Sequence, residues 1–448
     1  MRKTWLLAAA CIAALTIPGA PANASAVPGQ YVVVLKSGAD ANAVVADHKR
    51  QANAAVIHVY GRALKGYAAK LSTAGLERVR ADSRVDYVVQ DRAESMITAL
   101  AKPPPPPPAQ TLPTGVDRID ADLSSALAGN RSGTVDADVA VYDTGVQTNH
   151  PDLTVAGGVN CLGAKSSSND GTIGDQNGHG THVAGIVAAK DDSIGVVGVA
   201  PGARVWSVRV GDSAAISTTS GQLCGIDWLT ANGPSRGIRV VNASTLLFGK
   251  ADDGNCGYSV NDPLHQAICR STAAGLLWVF AGGNTVMDLD RLSGPGYDEV
   301  LTVTAMADTN GQPNVGSTAT ITCTSTGARK ANATETDDKY ASFSAYALSL
   351  LDQAHTVAAP GICINSTYKG SAYGVMSGTS MAAPHATGAA VLCFARGLCT
   401  GPPAATIQKL RLDTDAYNTA QPGWGYRGDP LRPVTGRYYG FLISAGLY

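Results

Sequence analysis

The sequence predicts an α/β fold: a three-layer sandwich on a mostly parallel central sheet, preceded by a small α+β unit. Three observations predict it. Short apolar runs such as Asp138-Val-Ala-Val-Tyr-Asp143 and Leu277-Trp-Val-Phe-Ala281 alternate with helical stretches. Those runs are apolar throughout rather than alternating, so each reads as a strand buried on both faces, as in a parallel sheet covered by helices. The 448 residues are 45% hydrophobic, 15% charged and 6% aromatic, with 50 Gly, which suits a large core with close backbone contacts and excludes bulk disorder. A net charge of -1 gives no reason to expect a nucleic-acid or membrane partner.

The elements follow in chain order. Arg2 and Lys3 precede an apolar run from Trp5 to Ile17, and Ala22-Asn23-Ala24 supplies small residues for a peptidase cut. Residues 1–24 therefore read as a secretory signal peptide, too short in its apolar run for the ~18 to 20 residues that span a bilayer. A secreted, extracellular product is expected. Without Cys11 eight cysteines remain, an even number that implies up to four disulfides in an oxidising compartment. Cys393–Cys399 and Cys256–Cys269 are the simplest pairs, because each closes a short loop. No CxxC pair suggests a cysteine metal site.

Residues 30–97 lack cysteine and read as βαββαβ, with strands at 30–36, 66–72 and 85–90 and helices at 40–54 and 76–81. About seventy residues are marginal as an independent fold. The segment carries ten Lys/Arg against seven Asp/Glu, a charge of +3, which leaves -6 on everything beyond it once the signal is set aside. Pro103 to Pro108 form a stiff polyproline spacer. Beyond it the expected strands are 138–143, 204–210, 239–242, 277–281 and 300–304. Expected helices are 179–189, 221–232, 262–274, 380–395 and 404–412.

Three segments carry candidate chemistry. Val141-Tyr-Asp143-Thr-Gly145 ends an apolar strand on a carboxylate and a turn. Asn177-Gly-His179-Gly-Thr-His182-Val-Ala-Gly185 opens a helix on a histidine, and Ser377-Gly-Thr-Ser380-Met-Ala-Ala-Pro384-His385 opens another on a serine. A serine nucleophile needs a base for its proton, and that base needs a carboxylate to orient it. Phe280-Ala-Gly-Gly-Asn284 adds an amide NH2 at a strand end, a donor for an oxyanion beside the backbone N–H of Ser380. His150, His182 and His385 are read as packed structural histidines.

These blocks, in this order, resemble the subtilisin-like (subtilase) serine peptidases over roughly residues 113–412. The resemblance implies that Asp143 orients, His179 is general base and then acid, Ser380 attacks the peptide carbonyl and Asn284 holds the oxyanion. It implies a fold of the subtilisin type for 113–448, after a Pro-rich segment at 98–112. Residues 25–97 resemble the inhibitor and foldase propeptide of these enzymes, with Lys65-Gly-Tyr-Ala-Ala-Lys-Leu71 and Val85-Asp-Tyr-Val-Val-Gln-Asp91 as the matching stretches and an autolytic cut near Ile97. Opposite charge on the two units favours docking.

By the same resemblance Lys190-Asp-Asp192-Ser-Ile194-Gly-Val196 is a Ca2+ loop. Asp192 would give a side-chain oxygen, Lys190, Ile194 and Val196 carbonyls, and Asp152 would complete a hard oxygen set. The family's N-terminal ligand has no placed counterpart here. The pocket segment departs from the family: Ser244-Thr-Leu-Leu-Phe-Gly249 stands where Ser-Leu-Gly-Gly is usual. Ser220 with Gly221 resembles the second substrate-binding edge strand, and Ala281 with Gly283 the pocket wall. Broad specificity with apolar or aromatic P1 residues is expected, from a monomer acting on proteins or peptides and inhibited by its own propeptide. An esterase or transpeptidase on the same triad, and a non-catalytic binding protein, are the rival readings.

Overall fold

A computed structural model describes residues 25–96, 109–163, 171–323 and 334–448. The expected signal segment, the proline run and the cut near Ile97 lie outside these residues.

The N-terminal unit has the expected βαββαβ order: β1 (Ser25–Leu35), α1 (Ala41–Gln51), β2 (Ala55–Tyr60), β3 (Gly66–Lys70), α2 (Thr73–Ala81) and β4 (Val85–Ser95). Asp40 caps α1 by accepting from the backbone of Asn42 and Ala43, and Ser72 caps α2 through Gly75. The first helix is shorter than expected, because Asn53 turns the chain at a positive φ of 51°.

The larger region runs α3 (Thr114–Arg118), β5 (Asp138–Asp143), β6 (Thr154–Asn160), α4 (His179–Ala188), β7 (Arg204–Arg209), β8 (Ile216–Thr218), α5 (Thr219–Asn232) and β9 (Ile238–Ala243). It continues with α6 (Pro263–Ala273), β10 (Leu277–Ala281), β11 (Leu301–Ala307), β12 (Thr320–Thr322), β13 (Thr334–Thr336) and β14 (Lys339–Tyr340). Then follow α7 (Leu350–Ala354), β15 (Thr356–Pro360), β16 (Ile364–Tyr368), β17 (Ala372–Met376), α8 (Thr379–Ala395) and α9 (Pro403–Ala420).

The eight-stranded sheet has the order β14-β11-β10-β9-β5-β7-β6, with β15 also pairing β11. All its pairings are parallel except that of the short β14. Alternate side chains divide between two cores, as two-faced burial requires. Val139, Val141 and Val279 join α4 and α8 on one face. Ala140, Tyr142, Trp278 and Phe280 join α5 and α6 on the other. That is the expected three-layer sandwich.

Three strands of this sheet escaped the sequence reading: β6, β15 and the two-residue β14. β6 contains Gly157 and Gly158, poor strand formers; a Cβ on Gly158 would lie 1.9 Å from the Ser207 carbonyl oxygen, so close strand approach demands glycine there. β15 is Ala-rich and ends on Pro360. Helix α9 runs past the expected residue 412 because Leu410, Thr414 and Asn418 keep one buried stripe at four-residue spacing. Both local disulfides expected from spacing are present, Cys256–Cys269 and Cys393–Cys399. The other pairs are Cys161–Cys224 and Cys323–Cys363. Among the described residues no helix is long and apolar enough to cross a membrane.

The two units meet edge to edge. β8 joins the N-terminal sheet as its fifth strand, in the order β2-β3-β1-β4-β8. It pairs antiparallel with β4, in the register Ala93 with Thr218 and Ser95 with Ile216. Val32, Val34, Tyr60, Leu64 and Met96 enter the same apolar cluster as Leu223 and Ile226 of α5.

Candidate active site

Asp143 is the last residue of β5 and is fully buried. Its carboxylate accepts from Thr144 N at 2.7 Å and lies 2.8 and 3.0 Å from His179 Nδ1. His179 begins α4, where Gly178 turns the chain at a φ of 113°. A Cβ on Gly180 would sit 2.1 Å from the Gly145 carbonyl oxygen, so the Gly after His179 lets the helix press on the turn after Asp143. Sequence reading missed Asp175. Its Oδ1 accepts from the backbone of Asn177 and Gly178 and from Thr144 Oγ1, while Oδ2 accepts from Thr181 N and Oγ1. One carboxylate thus caps the helix that carries His179 and ties it to the strand end that carries Asp143. An Asp four residues before the histidine was the available signal.

The imidazole of His179 is completely enclosed, and its Nε2 has no hydrogen-bond partner among the described residues. Ser380, in the first turn of α8, donates its Oγ to the Ser244 carbonyl at 3.2 Å. Asp143 and His179 are therefore directly bonded, whereas Ser380 Oγ is not bonded to Nε2. The Ser380 carbonyl accepts from Ser244 Oγ at 2.7 Å, and Asn242 Nδ2 donates to the same hydroxyl.

Asn284 follows β10 through Gly282 and Gly283, whose φ is 107°. Its Oδ1 accepts from Thr379 N and Thr379 Oγ1 at 2.9 and 2.8 Å, which directs Nδ2 the other way. A Cβ placed on Gly378 would lie 3.2 Å from Asn284 Nδ2 and 3.6 Å from Ser380 N. The space beside Gly378 is thus flanked by the two donors expected to face an oxyanion.

His150, His182 and His385 are packing groups. Burial pushes His182 down to about 3, with Nε2 3.0 Å from the carbonyls of Ile364 and Gly374. Burial pushes His385 to about 4. His150 Nδ1 accepts from Asp152 N.

Around the site, Ala281 is buried at the end of β10 and Gly283 donates its N–H to Thr379 Oγ1. The loop after Ser244 is braced by Gln222 of α5, which donates to the Leu246 carbonyl and accepts from Phe248 N. One expectation needs correction. Ser220 and Gly221 are not strand residues: they lie in the first turn of α5, which Thr218 caps by accepting from Gly221 N. The edge strand is β8, three residues earlier. So short a strand gains its identity from pairing with β4, which no local pattern reveals. Ser220 instead meets the N-terminal unit: its N–H donates to Asp91 and its carbonyl accepts from Tyr60. Past the paired residues Met96 N donates to the Ala215 carbonyl, and a Cβ on Gly211 would touch both Met96 Sδ and Thr144. The N-terminal unit therefore threads its last described residue to the turn beside Asp143.

The expected cation loop was tested by its donors. Asp152 is fully buried; Oδ2 accepts from Val196 N, Oδ1 makes no hydrogen bond among the described residues, and burial, partly offset by Val196 N and the Tyr373 hydroxyl, pushes the carboxyl up to about 7. Asp192 Oδ1 accepts from Ile194 N, and Lys190 directs its ammonium to the Pro151 carbonyl. Gln110, which the sequence reading did not single out, also meets this loop. Its N–H donates to the Ser193 carbonyl and its Nε2 to Asp191, leaving Oε1 buried and without a hydrogen-bond partner among the described residues. Two orphaned oxygens held by one loop fit a hard cation.

Comparisons with known proteins give the family. The Subtilase family model matches residues 136–422, and the Peptidase inhibitor I9 model matches residues 30–95. The chain is 32% identical to "Alkaline protease" of Shouchella clausii over 324 residues, 72% of this chain and 67% of that one. It is 34% identical to "Subtilisin Savinase" of Lederbergia lenta over 285 residues, 63% of this chain and 84% of that one. A solved cold adapted subtilisin-like serine proteinase shares the fold, with a TM-score of 0.51 at 23% identity over 74% of this chain and 97% of that one. The chain belongs to the subtilase family of serine endopeptidases and carries an inhibitor I9 propeptide domain ahead of its peptidase region.

Proposed function

We propose that the chain is a secreted endopeptidase that works through an acyl-enzyme on Ser380. The observation that carries this is the bonded Asp143–His179 pair with its Nε2 left over for a proton. In this reading His179 Nε2 takes the Ser380 hydroxyl proton as Oγ attacks the peptide carbonyl. Asp143 holds the imidazole in the required tautomer and stabilises its cation. The oxyanion forms in the space beside Gly378, against Asn284 Nδ2 and Ser380 N. His179 then gives the proton to the leaving amine, and water reverses the sequence to free the acid.

The unit at 25–97 acts as an intramolecular inhibitor, after a signal at 1–24 and before a spacer at 98–112 and the peptidase domain at 113–448. Its β4 occupies the edge of β8, the place where a substrate would add as an extended strand. Substrates are proteins or peptides. Apolar walls at Ala281 and Gly283, and the Leu246–Phe248 loop, favour apolar or aromatic P1 side chains, with Met96 or Ile97 as the self-cleavage residue. The active form is a monomer. Gln110, Asp152 and Asp192, with the carbonyls of Lys190, Ile194 and Val196, would hold a Ca2+ ion. Such an ion supplies rigidity to the loop and neutralises its carboxylates.

A fluorophosphonate probe tests the nucleophile: it should label the matured protein and not Ser380→Ala. Casein digestion separates the endopeptidase from an esterase or a transpeptidase. Labelling without digestion sinks the endopeptidase reading, and no labelling sinks the triad.

A further inference from the structure

At the sheet edge opposite the triad, two neighbouring parallel strands start from ionisable residues. Asp298 lies just before β11 and His355 just before β15, and the Thr302 N–H pins the His355 carbonyl at 2.8 Å. Asp352, in α7, is the third member. Side-chain ligand atoms of Asp298, Asp352 and His355 all lie within 4.8 Å of one another. His355 is 3% exposed, yet its Nε2 has no hydrogen-bond partner among the described residues. That nitrogen is 3.6 Å from Asp352 Oδ1 and 3.8 Å from Asp298 Oδ1.

These separations decide between two uses. A charge-assisted hydrogen bond from an imidazolium closes to about 2.7–2.9 Å, and these pairs have not closed. Ligands sharing a tetrahedral ion with bonds of about 2.0–2.1 Å stand about 3.3 Å apart. The two separations from His355 Nε2 need only a few tenths of an ångström of contraction to reach that, and the two carboxylates stand within 4.8 Å of each other. Charge points the same way. Asp290 also lies against Asp352, within a second group that includes Asp288. Among the described residues no Lys or Arg pairs with any of these four carboxylates within 4.0 Å. A buried imidazole in the ligand set selects against Ca2+ and for ions of the zinc type. Access exists through Asp298, whose side chain is 41% exposed, and through an adjoining cavity of about 530 Å³ lined by Asp298, Leu351, His355 and Arg411.

We propose that Asp298, Asp352 and His355 form a site for a divalent transition-metal ion of the Zn2+ class, which staples the starts of β11 and β15 to α7. His355 Nε2 and the Oδ1 atoms of Asp298 and Asp352 are the ligands, and Nδ1 carries the ring proton.

The test uses the full chain with Ser380→Ala to prevent autolysis, stripped by a chelator and then kept in excess Ca2+ to saturate any oxygen-only site. Zn2+ is titrated in by calorimetry and Co2+ by visible absorption. One Zn2+ per chain should bind, Co2+ should give a d–d band, and the melting temperature should rise. In Asp298→Asn, a change at a partly exposed position, affinity should fall at least tenfold and the Co2+ band should weaken. His355→Ala should abolish both. Absence of Zn2+ binding under excess Ca2+ would overturn the proposal, as would equal affinity in Asp298→Asn and the parent.

Discussion

Ser244 Oγ donates to the carbonyl oxygen of Ser380, and Pro384 explains why that oxygen is available. In α8 the Ser380 carbonyl should accept from the N–H of residue 384, but proline has none and its ring crowds the carbonyl four residues back. The helix gives up one internal bond at its first turn, and the strand loop after β9 replaces it. The residue expected to attack substrate is thereby bonded to the loop expected to bind substrate.

Ser244→Ala should leave that buried carbonyl without a donor, at a cost of about 1–3 kcal/mol. Adding Pro384→Ala supplies the missing N–H. In the Ser380→Ala background, denaturant melts of the two single variants and the double variant should show coupling of about 1 kcal/mol, the double being more stable than the sum of the singles predicts. Simple additivity sinks the argument.

The inhibitor domain is held by a single carboxylate at one corner. Asp227 of α5 accepts from the backbone N–H groups of Gly61, Arg62 and Ala63, at 2.6 to 3.2 Å. Such bonds to a charged acceptor are stronger than neutral ones. Asp227→Ala should weaken inhibition of the matured enzyme by added propeptide by roughly 30-fold, equivalent to about 2 kcal/mol. Hydrolysis of a small peptide should be unchanged, because Asp227 touches only the propeptide loop. Inhibition kinetics read both.

Much of this was legible in the sequence, for a physical reason. Asp143, His179, Ser380 and Asn284 each sit near where a strand ends or a helix begins, within two residues of a glycine, so local wording marks them. Asp175 and Gln110 have roles that arise only when distant segments meet. Asp175 links α4 to the exit of β5, and Gln110, just after the proline run, reaches loop 190–196 some eighty residues on. β8 is a strand because β4 lies against it, and reading Ser220 and Gly221 as the edge placed it three residues late. The even cysteine count implied pairing, yet Cys161–Cys224 and Cys323–Cys363 span long loops that spacing does not choose.

Propeptide binding should weaken in acid. Burial, only partly offset by Asp91 and the Cys161 backbone, lowers His58 from the ordinary 6.5 to about 4 in the docked state. The sign follows from which state holds more protons. Between about pH 4 and 6.5 the released propeptide binds a proton that the docked one refuses, so affinity is full above 6.5 and falls as pH drops. The loss reaches roughly two orders of magnitude near pH 4. Calorimetry of the propeptide with Ser380→Ala enzyme from pH 7.5 to 4.5 should show it, and His58→Leu should flatten that slope. A wild-type affinity constant across this range sinks the idea.

The cation loop makes the last prediction. Asp152 Oδ1 and Gln110 Oε1 are buried acceptors without donors among the described residues, and each unsatisfied group costs about 1–3 kcal/mol. A bound Ca2+ would remove both costs and add its binding free energy, about 4 kcal/mol at a thousandfold excess over Kd. Chelation should therefore lower the melting temperature of the Ser380→Ala chain, and Ca2+ should restore it. Gln110→Ala should need more Ca2+ for the same recovery. Asp152→Asn should melt at one temperature with or without the ion, because the neutral amide loses the charge that draws a cation while still accepting from Val196. A parent protein indifferent to the chelator would show that the orphaned oxygens are satisfied in some other way.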